Sequence, residues 1–147
     1  MMVVYLDTSA AVRAIQGDES ALDLLEGASR LVASRLTELE LHRVLVRVEV
    51  SGELAADDLE RAHARWVDLM QQVELLPIDP VVDRARERFP SEPVRCLDAI
   101  HLATLAQVGR DIRGPLAVCT FDARMRENAK RMGFAVLPGR LSGSTTR

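Results

Sequence analysis

The chain has 147 residues, 48% of them hydrophobic, which suits one domain with a sizeable core and argues against a disordered chain. Its net charge of −3, from 19 basic and 22 acidic residues, argues against a general nucleic-acid coat protein but not against an enzyme whose acidic site is neutralised by cations. No apolar run reaches about 18 residues, so no membrane span is expected; residues 1–6 are too short for a signal peptide, and the expected location is cytoplasmic.

The first strand is Val3-Val4-Tyr5-Leu6, β-branched and aromatic. Asp7-Thr8-Ser9 breaks it and can cap a short helix from Ala10. Residues 18–26 read as a helix closed by Gly27, and residues 31–34 as a second strand. Two helices follow, at 37–51 and 55–72, folded as a hairpin about Ser51 and Gly52. Leu59, Ala62, Trp66, Leu69, Met70 and Val73 recur at helical spacing and give the second of them one apolar face.

Residues 73–78 predict a short strand, and 80–89 a helix with proline in its first turn. A proline-bearing loop spans 90–95. Residues 97–108 form a helix that is apolar nearly all round, so it is expected to be buried, first turn included. A strand at 116–120, a helix at 123–132 closed by Gly133, and a last strand at 135–137 complete the pattern. Residues 1–140 thus read as a single domain, and the polar residues 141–147 as a flexible tail. Strands alternating with helices predict an α/β fold with a central parallel sheet, in which ligands gather at the carboxyl ends of the strands.

Four acidic residues draw attention, and each has a plain structural reading. Asp7 directly follows the first strand and reads equally well as a helix N-cap. Asp122 follows the 116–120 strand, and alone the cap is its better reading. Glu40 completes a Thr-x-x-Glu capping box with Thr37, with Glu38 as a competing acid. Asp98 opens the apolar helix, where a carboxylate favours the helix dipole but needs a partner if buried. The joint pattern is stronger than any member. Two acids follow strands and two open helices, so several carboxylates converge at one sheet edge if those strand ends are neighbours. Like charges that close repel, and a bound Mg²⁺ or Mn²⁺ resolves the repulsion. Such a cation suits phosphodiester hydrolysis. Thr8, Ser9 and Thr120 add hydroxyls at the same edge.

Other residues carry less. His101, one turn after Asp98, is the histidine nearest the site, and reads as a packing or supporting residue. Cys96 and Cys119 form neither a disulfide framework nor a zinc motif, and both read as buried thiols. Among the basic residues only Lys130 is a lysine. Arginine suits phosphate contacts, although genome composition takes the larger share of that bias.

Four segments together resemble the PIN-domain family, in particular the VapC-type toxins of bacterial toxin–antitoxin pairs. They are Val3 to Ala10, Ser34 to Leu41, the most specific stretch Leu97-Asp98-Ala99-Ile100-His101-Leu102-Ala103, and Thr120-Phe121-Asp122. The resemblance implies a three-layer α/β/α sandwich and a Mg²⁺- or Mn²⁺-dependent endoribonuclease. Asp7, Glu40, Asp98 and Asp122 match the family's acidic positions, as catalytic and metal-binding residues, with Ser9 and Thr120 in support. It also implies an RNA substrate, a homodimer, and a cognate antitoxin whose tail wraps the 37–72 hairpin and whose arginine displaces metal from the acids. Two rival enzymes fit less well. A haloacid-dehalogenase-type phosphatase needs a second acid where Ser9 stands, and a receiver domain needs an acidic pair before Asp7. A non-catalytic PIN-like interaction module is the remaining alternative.

Overall fold

The computed structural model describes residues 2–141. Five short strands form the sheet, the inner three largely buried: β1 Val3–Leu6, β2 Arg30–Ser34, β3 Val73–Leu76, β4 Leu116–Cys119 and β5 Ala135–Leu137. They pair in the order β3-β2-β1-β4-β5, and every pairing is parallel. The helices are α1 Thr8–Ile15, α2 Glu19–Glu26, α3 Arg35–Ser51, α4 Ala56–Gln72, α5 Val82–Ala85, α6 Cys96–Asp111 and α7 Ala123–Arg131.

Alternation along the strands splits the core in two. Val4, Leu6, Leu31, Ala33 and Cys119 point to one face and pack with Ala10, Ala14 and Ile15 of α1, Leu25 of α2, Leu41 and Leu45 of α3, and Leu69 of α4. Tyr5, Val32 and Val118 point to the other, against Leu102 and Leu105 of α6 and Met125 and Ala129 of α7. This is the expected three-layer sandwich. The chain first winds outward from β1 to β3, then returns to place β4 and β5 on β1's other side. With crossovers of constant hand, that reversal puts α1–α4 on one face and α6–α7 on the other. It also opens a crevice at the carboxyl ends of β1 and β4, where the winding direction switches.

Several boundaries differ from those the sequence suggests. Helix α3 starts at Arg35, capped by Ser34, whose Oγ accepts from Leu36 N at 3.1 Å. Thr37 therefore lies inside the helix, and the Thr37–Glu40 capping box does not form. The hairpin turn is as expected, with Gly52 in the left-handed region at φ 69°. The helix expected over 80–89 is only a 3-10 turn, Asp79–Val81, and the single turn α5. Beyond it the chain is held by side chains instead. Glu92 Oε1 accepts from Phe89 N at 2.8 Å. The buried Asn128 exchanges two bonds with the backbone of Ser91, at 2.9 and 3.0 Å. β3 stops at Leu76, before Pro77.

The first turn of α6 is open rather than buried: Leu97 is 48% exposed and Cys96 is exposed too, against expectation for both. Cys119 is buried as expected, and burial, with Asp7 nearby, pushes its thiol up to about 12. Most of the expected tail, residues 142–147, lies outside the described residues. Among the described residues no helix is long and apolar enough to cross a membrane.

Candidate active site

Asp7 sits at the crevice because it is the first residue beyond β1, with its N–H still bonded to the Cys119 carbonyl at 3.0 Å. It is only 6% exposed. Its Oδ2 accepts from Ser9 Oγ at 2.6 Å, Thr120 Oγ1 at 2.8 Å and, weakly, Ser9 N at 3.4 Å. The cap reading and the site reading both hold, since Asp7 also caps α1. Both hydroxyls are tied into the turn after β4: Phe121 N donates to Ser9 Oγ at 2.9 Å, and Asp122 N to Thr120 Oγ1 at 3.1 Å. Ser9 and Thr120 thus fix Asp7 relative to Asp122.

Asp122 is exposed and caps α7, its Oδ1 accepting from Met125 N at 2.9 Å. The turn that carries it is stapled by Arg126, whose guanidinium donates to the carbonyls of Thr120 at 3.0 Å and Pro138 at 2.7 Å. Sequence reading passed over Arg126, because a basic residue inside a charged helix ordinarily faces water. Here it is 5% exposed.

Asp98, half-buried in the first turn of α6, accepts no hydrogen bond among the described residues. Its carboxyl is held above the usual range, first by burial and then by the nearby carboxylates of Asp122 and Asp7, with His101 and Arg95 offsetting part of this. The structure therefore brings Asp7, Asp98 and Asp122 into one electrostatic cluster.

Glu40 differs from the three in its partners, and it shares the surroundings of His101 with Asp7 and Asp98. It is half-buried on α3, and its Oε1 accepts from His101 Nε2 at 2.6 Å and Thr8 Oγ1 at 2.9 Å. Burial works against its charge, but the bond and charge of His101 and the bond from Thr8 outweigh it and keep Glu40 below the usual carboxylate range. The competing Glu38 takes no part in these contacts. A groove of about 630 Å³ leads away from Glu40 and Thr8 along α3, past Arg43, Arg47 and Val50, with Leu97 contributing to its wall.

As placed, no three His, Cys, Asp or Glu side chains among the described residues enclose a metal position. The donor chemistry nonetheless fits a hard divalent cation. Asp7 Oδ1, Asp122 Oδ2 and both oxygens of Asp98 accept no hydrogen bond among the described residues, and oxygen ligands of this kind suit Mg²⁺ or Mn²⁺. Crowding of like charges supplies a reason for a cation to be drawn in.

A parallel sheet in this order, with aspartates at its switch point, is the arrangement of the PIN domain, and the PIN-domain family model matches residues 4–131. The chain belongs to the PIN-domain family, in its VapC-type branch. Among particular relatives it is similar to Ribonuclease VapC46 of Mycobacterium tuberculosis (strain ATCC 25618 / H37Rv), 38% identical over 143 residues, covering 93% of this chain and 98% of the relative. It is also similar to Ribonuclease VapC35 of Mycobacterium tuberculosis (strain CDC 1551 / Oshkosh), 32% identical with the same coverage. Ribonuclease VapC47 of that strain is 29% identical over 140 residues, covering 90% of this chain and 93% of the relative.

Proposed function

We propose that this chain is a Mg²⁺- or Mn²⁺-dependent endoribonuclease acting as the toxin of a toxin–antitoxin pair. The observation that carries this reading is the convergence of Asp7, Asp98 and Asp122, which leaves Asp98 short of partners and above its ordinary pKa. The names of the relatives support ribonuclease as the reaction.

In this reading Asp7, Asp98 and Asp122 hold the cation through the oxygens that accept no protein hydrogen bond. When bound, the cation would supply Lewis acidity to the phosphodiester and ease deprotonation of water. The chain does the rest. Ser9 and Thr120 keep Asp7 in one orientation. Glu40 stays ionised, and its Oε2, free of the His101 and Thr8 bonds, orients the attacking water. The exposed arginines Arg43 and Arg47 offer forks to the RNA phosphates.

The groove along α3, the first arm of the α3–α4 hairpin, with Thr8 and Leu97 also in its wall, is the surface for an antitoxin tail, and an arginine of that tail would displace the cation by pairing with the acids. We place the protein in the cytoplasm, as a homodimer. The test maps RNA ends across the transcriptome after brief induction of wild type and of Asp98→Asn. New ends at a few defined sites, absent in the variant, are expected. Identical ends from both soluble proteins would overturn the reading. Turnover of small phosphate esters would indicate a phosphatase, and no turnover at all an interaction module.

A further inference from the structure

His101 is 2% exposed, yet it does not pack as an apolar residue would. Its Nε2 is 2.6 Å from Glu40 Oε1, the shortest contact Glu40 makes. Behind it stands the fully buried Tyr5, whose hydroxyl donates to the His101 carbonyl at 3.2 Å and lies 3.5 Å from Nδ1. Beside it, Thr8 Oγ1 lies 2.9 Å from Glu40 Oε1, 3.1 Å from the Thr37 hydroxyl and 3.3 Å from His101 Nε2.

The proton inventory makes this network directional. Thr8 has one hydroxyl proton, and the ionised Glu40 can only accept. Thr8 therefore donates to Glu40 and accepts from Thr37, while the Nε2–H of His101 donates to the same carboxylate oxygen. That tautomer leaves Nδ1 toward the Tyr5 hydroxyl. Two protons point at Glu40 Oε1, from Thr8 at the start of α1 and from His101 of α6, while Thr37 of α3 donates to Thr8 and Tyr5 of β1 donates to the His101 carbonyl. The carboxylate of a half-exposed glutamate is thereby held from one side only.

We propose that His101 is the positioning residue of this site: it fixes Glu40 through Oε1 so that Oε2 is presented to the water and substrate. The proposal rests on the nuclease reading above. His101 touches neither the substrate nor the cation and works through Glu40 alone. It links α6, which carries Asp98, to α3, which carries Glu40, and so sets the distance between the two parts of the acidic site.

The experiment is a double-mutant cycle read by cleavage of a fluorophore–quencher oligoribonucleotide spanning a site that the wild-type chain cuts, in Mg²⁺. His101→Leu should lower kcat by about 10- to 100-fold, the usual cost of losing a partner that orients a catalytic ligand, with little change in KM. His101→Gln, which restores an amide donor near the Nε2 position, should recover much of the loss. In a Glu40→Gln background, His101→Leu should cost nothing further. An undiminished cost in that background, or no rescue by glutamine, overturns the positioning role while leaving the nuclease reading intact. If Asp98→Asn cleaves as fast as wild type, the nuclease reading falls and the proposal with it. Should leucine prevent folding, His101→Phe, which keeps a flat ring and removes the donor to Glu40, carries the same cycle.

Discussion

Thr120→Val tests how the site is held together. The substitution keeps the shape of a side chain that is fully buried and removes only its hydroxyl. That hydroxyl donates to the Asp7 carboxylate at 2.8 Å and accepts from Asp122 N at 3.1 Å. A hydrogen bond to a charged group contributes about 2 kcal/mol and one to a backbone amide about 1 kcal/mol. The extra buried methyl returns about 0.8 kcal/mol. The net loss is about 2 kcal/mol, or roughly 6 °C in Tm for a domain of this size. Urea denaturation at neutral pH measures it, with Thr120→Ser as the control that keeps the hydroxyl and sheds the methyl at about 0.8 kcal/mol. Cleavage should fall about 10- to 100-fold in the valine variant and stay near wild type in the serine one. A valine variant as stable and as active as the serine variant would refute the argument that Thr120 anchors Asp7.

Three further outcomes follow from the same geometry. Asp98→Asn should abolish cleavage yet stabilise the metal-free protein. Because the folded-state pKa of Asp98 is raised above its ordinary 3.8, wild type loses stability relative to the variant as pH rises through that raised value, so the gap between their melting temperatures should widen from about pH 4 to about pH 7. A constant gap would mean that neither burial nor the neighbouring aspartates raise the Asp98 carboxyl. For His101, burial opposes the charged ring, but the bond to Glu40 and the carboxylates of Asp7, Glu40 and Asp98 outweigh it and raise the pKa above 6.5. The stability this adds is full below about 6.5 and is lost as pH rises through the raised value, so wild type's advantage over His101→Gln should shrink there; a metal-free NMR titration of the ring checks the direction. Ser34→Ala should cost about 1 kcal/mol by removing the cap of α3, read by urea denaturation. No loss there would return the cap to Thr37.

Local pattern was enough for much of this protein. The continuous apolar run of Val3 to Leu6, the alternation of strands with helices, and the glycine at the α3–α4 turn are properties of short stretches, legible without knowing what packs where. Asp7 and Asp122 were legible because one directly follows a strand and the other lies in the short turn after one, and strand ends are where such folds do chemistry. What tertiary structure decided was everything non-local. Ser34 rather than Thr37 caps α3 because β2 stays paired to β3 as far as Ser34 opposite Leu76, and the chain is free to turn only there. The buried Asn128 and Arg126 look like ordinary helix-surface residues until the turns they tie down are packed against them. The division of the acids into three aspartates and a separate Glu40 also lies beyond sequence. It depends on His101 arriving from α6, 61 residues away, to claim one carboxylate oxygen. Spacing along a chain fixes which face a residue takes, whereas only the pairing order of strands brings faces together.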